Sequence, residues 1–152
     1  MEKAIIFTQF RTMAYILEKE LAQYSPLVIA GDVSAEDRQN RVNLFNNEQK
    51  HRIMICTEAG GMGLNLQAAS YVFHYDAPWS IAKLMQREDR AHRIGQTKPV
   101  TVYNLIAKNT IDEYVAKVLH KKQNISVDIL KDVERLEAAG ISEEHIKNIL
   151  RI

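Results

Sequence analysis

The sequence predicts an α/β fold: a mainly parallel sheet of about five strands covered by helices, then a C-terminal all-helical extension. Three observations carry this. Five runs read as strands, most of them short and nearly continuous in apolar residues, as expected of strands buried on both faces. Helix-like segments separate these runs, and strand–helix alternation implies parallel strands with helices on both sides of the sheet. Past residue 107 the strand-like runs stop and only helical patterning remains.

The strand runs are "KAIIF" (3–7), "LVIA" (27–30), "RIMIC" (52–56), "YVFHY" (71–75) and "VTVYNLI" (100–106). Between them, 9–24, 34–47, a short piece at 64–69, and 80–93 are predicted helices. Ser34 followed by Asp37 resembles an N-cap pair, and Ser80 is a second N-cap candidate. In the extension, Thr110 and Glu113 form a capping box, with Ile111, Val115, Val118 and Leu119 as an apolar face. Further helices are predicted over 129–139, ending at Gly140, and over 143–151 after Ser142. The predicted division is a lobe over 1–125 and a helical tail over 126–152, packed on the lobe or on a neighbour. "KAIIF" follows Met1 and Glu2 at once, which predicts either a fragment cut at a domain boundary or a separately encoded half of something larger.

Composition narrows the function. With 20 Lys and Arg against 19 Asp and Glu, the net charge is +1. Any phosphate-binding surface must therefore be local, because bulk charge supplies no attraction. One cysteine, Cys56, leaves no disulfide framework and no cysteine-rich zinc site; lying in "RIMIC", it reads as a buried thiol. No apolar stretch approaches the roughly 20 residues of a membrane span, and no signal-peptide pattern opens the chain, so an intracellular protein is expected.

Two stretches carry chemistry. "TEAGGMGLNLQ" (57–67) directly follows the third strand, at the carboxyl end where open α/β sheets bind ligands. Gly60, Gly61 and Gly63 let the backbone approach a phosphate or sugar, while Thr57 and Asn65 add hydrogen-bonding side chains; a flexible turn is the plainer reading. No Gly-Lys-Ser/Thr sequence occurs, so this is not a Walker loop.

The second stretch is "QREDRAHRIGQ" (86–96). Taken as one helix at about 100° per residue, Arg90 lies roughly 40° from Gln86 and Arg93 roughly 20° on its other side. With Ile81 as origin, Leu84, Met85, Glu88, Ala91 and His92 fall between about 280° and 40°, and the Gln86–Arg90–Arg93 stripe between about 120° and 180°. The stripe is thus predicted to point out of the lobe, with Glu88 and His92 paired on the inner side. A guanidinium donates in a fixed fork and keeps its charge, which suits phosphate oxygens; an exposed charged face is the alternative.

Together, "KAIIFTQF", "GDVSAEDRQNRVNLFN", "ICTEAGGMGLNLQAASYVFHYDAPWS" and "QREDRAHRIGQTKPVTVYNLIAKNTIDEYV" resemble the second RecA-like lobe of Swi/Snf-type DNA translocases, in helicase superfamily two. They match helicase motifs IV, V and VI, in order, over about residues 3 to 120. The resemblance implies a three-layer αβα RecA-like lobe. It implies that Arg90 and Arg93 reach ATP bound on the first lobe, with Arg93 the arginine finger. Gln86 matches the glutamine opening motif VI; Gly61, Gly63 and Asn65 match motif V, which senses nucleotide and touches the DNA backbone. Thr8 and Gln9 match motif IV and Thr57 the start of motif V, implying contacts to phosphates of the tracked strand through hydroxyl, amide and backbone groups. Trp79 matches a loop aromatic near the DNA, or is a partly buried structural ring.

The family's Walker lysine and Mg²⁺-binding acidic pair belong to its first lobe and are absent here. Glu36-Asp37, Glu88-Asp89 and Asp112-Glu113 are predicted on helices and do not replace that pair. ATP and Mg²⁺ would therefore be held mainly by the first lobe, with no metal site in this chain, and the chain alone is expected not to hydrolyse ATP. The implied partners are double-stranded DNA and an N-terminal RecA-like lobe of the same or a partner chain, with no membrane; the isolated lobe would be a monomer. Short loops where remodellers carry bulky elements fit a compact translocase, cytoplasmic if microbial or phage and nuclear if eukaryotic. The rival reading is a non-catalytic RecA-like module that binds nucleic acid or protein. A dinucleotide or nucleotide-sugar enzyme is disfavoured by the lack of a glycine fingerprint after the first strand.

Overall fold

The computed structural model describes residues 2–61, 63–78, 80–92, 96 and 98–120. The predicted helices at 129–139 and 143–151, and the site candidates Arg93 and Trp79, lie outside the described residues. Five strands form one parallel sheet: β1 (Ala4–Thr8), β2 (Leu27–Ile29), β3 (Ile53–Thr57), β4 (Tyr71–His74) and β5 (Thr101–Asn104), in the order β2-β3-β1-β4-β5. The first strand is central, so its apolar run is covered on both faces. Ile5 and Phe7 join Met54, Cys56 and Val72 on one face; Ile6 joins Ile55 and Val28 on the other.

Helix α1 (Arg11–Glu20) covers the second face through Ala14, Leu17 and the following Leu21, while α2 (Ala35–Asn47) covers the first through Val42 and Phe45. Two helical layers around a sheet give the expected three-layer lobe. The Ser34 prediction holds: its hydroxyl oxygen accepts the Asp37 N–H at 3.1 Å and its hydroxyl donates to the Asp37 carboxylate at 2.8 Å. The other end of α2 is closed by Lys3, a buried ammonium donating to the carbonyls of Phe45 and of Glu48, the latter at 2.7 Å. A cation there also meets the negative end of the helix dipole.

Three helix expectations are corrected. The 9–24 helix stops at Glu20, and residues Ala22–Tyr24 form a separate tight turn ending at Ser25 with φ 48°. Residues 64–69 are not helical; the helical turn instead comes directly after β3, as α3 (Glu58–Gly61). The fourth helix, α4 (Ile81–Glu88), ends well before residue 93, and Ser80 makes no side-chain cap bond. Beyond Glu88 the bonds tighten: Arg90 N–H reaches the Arg87 carbonyl at 3.3 Å and Ala91 N–H the Glu88 carbonyl at 3.0 Å. One α-type bond persists beside them, from the His92 N–H to the Glu88 carbonyl at 2.9 Å, so residues 89–92 form a mixed last turn outside the regular helix on which the stripe was drawn.

After β5, residues 111–120 are helical. The chain divides into two compact units, Met1–Ala116 and Lys117–Ile152. Among the described residues, no helix is long and apolar enough to cross a membrane.

Candidate functional site

The carboxyl ends of β3, β1 and β4 lie side by side, with Thr57 paired to Thr8 and Phe7 to His74 in the registers. Beside that edge is a cavity of about 460 Å³. Five sequence candidates line it: Gln9, Thr57, Gly61, Gln86 and Arg90. Phe7, Glu58, Lys83 and Arg87 complete the wall. Residues proposed for two ligands, nucleotide and DNA, thus share one cavity.

Each candidate is placed for a local reason. Gly61 is buried: a Cβ there would meet Cys56 Cβ at 3.4 Å and the Phe7 ring at 3.8 Å, so α3 sits tight against β1 and β3. Gly63 is exposed at φ 76°, a left-handed conformation that suits glycine. Neither Gly63 nor Asn65 is among the residues lining the cavity; the Asn65 side chain is exposed and its carbonyl accepts from Asn46 at 3.0 Å. Residues 64–69 are held by distant partners: Leu66 N–H donates to the Arg90 carbonyl at 3.1 Å, and the Gln96 amide donates to Gln67 and Ala69 carbonyls at 2.9 and 2.8 Å.

Thr8 is fully buried, with its hydroxyl turned inward to donate to the Asp76 carboxylate. The Gln9 N–H donates to both oxygens of Asp76, at 2.9 and 3.1 Å, and its side-chain amide to the Ala77 carbonyl at 2.9 Å. In this conformation the Thr8 hydroxyl and the Gln9 backbone therefore serve the lobe itself. Thr57 is also buried.

The arginines divide into two kinds. Arg90, half-buried, makes no side-chain hydrogen bond or ion pair among the described residues. Arg87 is only 5% exposed and its donors are committed: to the Asp76 carbonyl at 2.9 Å and to Glu58 at 3.2 Å. Burial pushes the Arg87 guanidinium down from its ordinary value, against the pull of Asp76 and Glu58, yet an arginine keeps its charge. Glu58 also accepts from Lys83 at 2.7 Å.

Sequence reasoning missed Arg87 and misplaced the inner face of α4. The buried helical residues are Leu84 and Arg87, while Met85 is 56% exposed. On the wheel Arg87 lies only about 60° from Leu84, so its position was the available signal and its residue type the misleading one. Glu88 faces His74 instead of His92, with 3.5 Å between its carboxylate and the buried ring, and His92 is exposed.

The comparisons with known proteins bear on the family and the fold. The helicase conserved C-terminal domain matches residues 1–95. The chain is 35% identical over 97% of its length to ATP-dependent helicase fft1 of Schizosaccharomyces pombe, covering 16% of that protein. It is 34% identical over 98% of its length to the ATP-dependent helicase YqhH of Bacillus subtilis, covering 27% of it, and 35% identical over 98% to the chromatin-remodeling factor PICKLE of Arabidopsis thaliana, covering 11%. The chain therefore spans only about a quarter or less of these relatives. Among solved structures, the C-terminal part of the Fun30 ATPase domain superposes with a TM-score of 0.73 at 35% identity, over 78% of this chain and 39% of that one. A parallel RecA-like sheet, a ligand-sized cavity at its carboxyl edge and these relatives lead to one conclusion: the chain belongs to the helicase conserved C-terminal domain family, as the second lobe of the Swi/Snf-type ATP-dependent helicases.

Proposed function

We propose that this lobe works in an ATP-driven double-stranded DNA translocase, supplying the arginine finger and part of the DNA-backbone track. The observation that carries the reading is the contrast between the two arginines. Arg87 is bound internally, whereas Arg90 lines the cavity with its fork unpaired among the described residues. A half-buried guanidinium without a partner favours an incoming anion. Gln86, exposed on the same wall, adds an amide. Arg93 completes the set as the finger.

ATP bound on a first lobe would draw the lobes together and bring Arg90 and Arg93 onto its phosphates, where they stabilise charge in the transition state. Hydrolysis would release them, and alternating grip on the DNA backbone would advance the protein. Gln9, Thr57 and Trp79 form the DNA-facing set, with Thr8 sharing the Asp76 carboxylate that holds the Gln9 N–H; Gly61, Gly63 and Asn65 respond to nucleotide. The acids near the cavity do not fit a Mg²⁺ site of their own: Glu58 is committed to Lys83 and Arg87, and Asp76 to Thr8 and Gln9. The metal, which would shield the phosphate charge, belongs with the first lobe.

The test is hydrolysis by a protein carrying both lobes. Arg93→Ala is expected to lower DNA-stimulated ATP turnover by about 10³-fold or more, and Arg90→Ala to abolish stimulation, with DNA binding retained. Normal turnover in both variants would overturn the reading, as would DNA-stimulated hydrolysis by the 152-residue chain alone.

A further inference from the structure

We propose that Arg87 is a positioning residue that ties the arginine-bearing end of α4 to the carboxyl end of β1, so that the two ligand-facing sets of the lobe move together. The proposal rests on the two-ligand reading above for its functional consequence, though not for its geometry.

Arg87 reaches three other segments from one buried position. One nitrogen donates to the Asp76 carbonyl after β4, at 2.9 Å. The other donates to Glu58, the first residue after β3, at 3.2 Å, and lies 3.7 Å from the Asp76 carboxylate. The guanidinium carbon sits 5.8 Å from the Phe7 ring centre on β1. The Asp76 carboxylate in turn holds the Gln9 N–H and the Thr8 hydroxyl. In the chain, Arg87 follows Gln86 and precedes Arg90 by three residues, and both of those line the cavity. A displacement of the α4 end must therefore carry Asp76 and Gln9 with it or break the fork.

Simple packing does not account for this residue. A buried ion pair is often no more stabilising than apolar side chains of similar volume, so filling this space needs no arginine. What a planar guanidinium adds is fixed relative orientation of the groups it bridges. Among the described residues its Nε makes no hydrogen bond, so the fork serves Asp76 and Glu58 alone.

The test has two arms. In the 152-residue chain, amide exchange of Gln9 is followed by NMR in Arg87→Met, which keeps length and removes the fork. Gln9 is expected to exchange about tenfold faster or more, while the core amide of Ile55 keeps its rate. Arg87→Lys, which restores charge without the fork, is expected to recover the Gln9 rate only partly; it also carries the test if the methionine variant does not fold. In a two-lobed protein, Arg87→Met is expected to lower kcat for DNA-stimulated hydrolysis about tenfold with KM for ATP within about twofold, because misplacement affects the reacting geometry more than binding. A wild-type Gln9 rate in either variant overturns the proposal whatever the protein's activity. Faster Gln9 exchange with unchanged kcat overturns the positioning role. Full activity in Arg90→Ala strikes instead at the functional reading, and leaves the exchange arm to judge the tie by itself.

Discussion

Asp76 holds Gln9 by both carboxylate oxygens, at 2.9 and 3.1 Å from the Gln9 backbone nitrogen, and takes the Thr8 hydroxyl besides. One side chain after β4 thereby fixes how the chain leaves β1. Asp76→Ala leaves at least one buried donor without its acceptor, a loss expected to cost about 1–3 kcal/mol. Thr8→Val, which keeps the shape, removes both the bond to Asp76 and the one the hydroxyl oxygen accepts from the Phe10 N–H at 3.2 Å, and should cost about 1–3 kcal/mol. Urea unfolding of the chain measures both. A Thr8→Val change that left stability untouched and weakened only DNA binding would mean that the hydroxyl turns outward in solution.

Lys3, the residue just before β1, closes α2. Its ammonium is buried, contacts two carbonyls at the helix end, and lies 5.2 Å from the centre of the Phe45 ring. Desolvation pushes its pKa down, but the Glu48 charge opposes this. Lys3→Met keeps the aliphatic stem over Phe45 and removes only the donor. The expected loss is about 1.5–3 kcal/mol, the range for bonds to charged groups. A thermal midpoint equal to wild type would show that the carbonyls are satisfied by solvent instead.

Cys56 predicts a pH dependence. Burial raises its thiol from 9.0 to about 12, and the nearby Arg90 charge recovers only part of that. The folded state therefore keeps its proton where the unfolded chain would lose it. This contribution to stability is full below about pH 9 and is lost as pH rises from there towards 12. A disulfide reagent at pH 8 should leave the native thiol unmodified and react at once in denaturant. Cys56→Ala should flatten the alkaline fall in stability, and equal curves would refute the assignment.

How much of this was legible in the sequence depends on the range of the forces involved. Strands β1, β3 and β4 follow from local apolar runs, because burial on both faces demands such runs. The end of α4 does not: the Leu66 N–H donates to the Arg90 carbonyl, and the Gln96 amide donates to the Gln67 and Ala69 carbonyls, bonds that no local pattern announces. Those same bonds hold 64–69 as a turn where a short helix was expected. The motif match brought Gln9, Gly61, Gln86 and Arg90 to one cavity, yet Arg87 between two of them escaped notice. Residue type argues for exposure, and only the placement of Asp76 and Glu58 makes burial tolerable.

The salt dependence of DNA binding offers a last prediction, and it follows from charge. The chain carries a net charge of only +1. In the conformation seen, the Thr8 hydroxyl and the Gln9 N–H are spent on Asp76, so these two groups are not offered to phosphates. Affinity for duplex DNA falls with salt in proportion to the number of phosphates neutralised, with a logarithmic slope of about 0.9 for each. Two to four such contacts from this lobe would give a slope of about 2 to 4 and weak binding at physiological salt. Fluorescence anisotropy with a labelled duplex, titrated across salt concentrations, measures it directly. A slope near 10 would require a broad basic surface, which this composition does not supply, and would place the DNA on some other part of the chain.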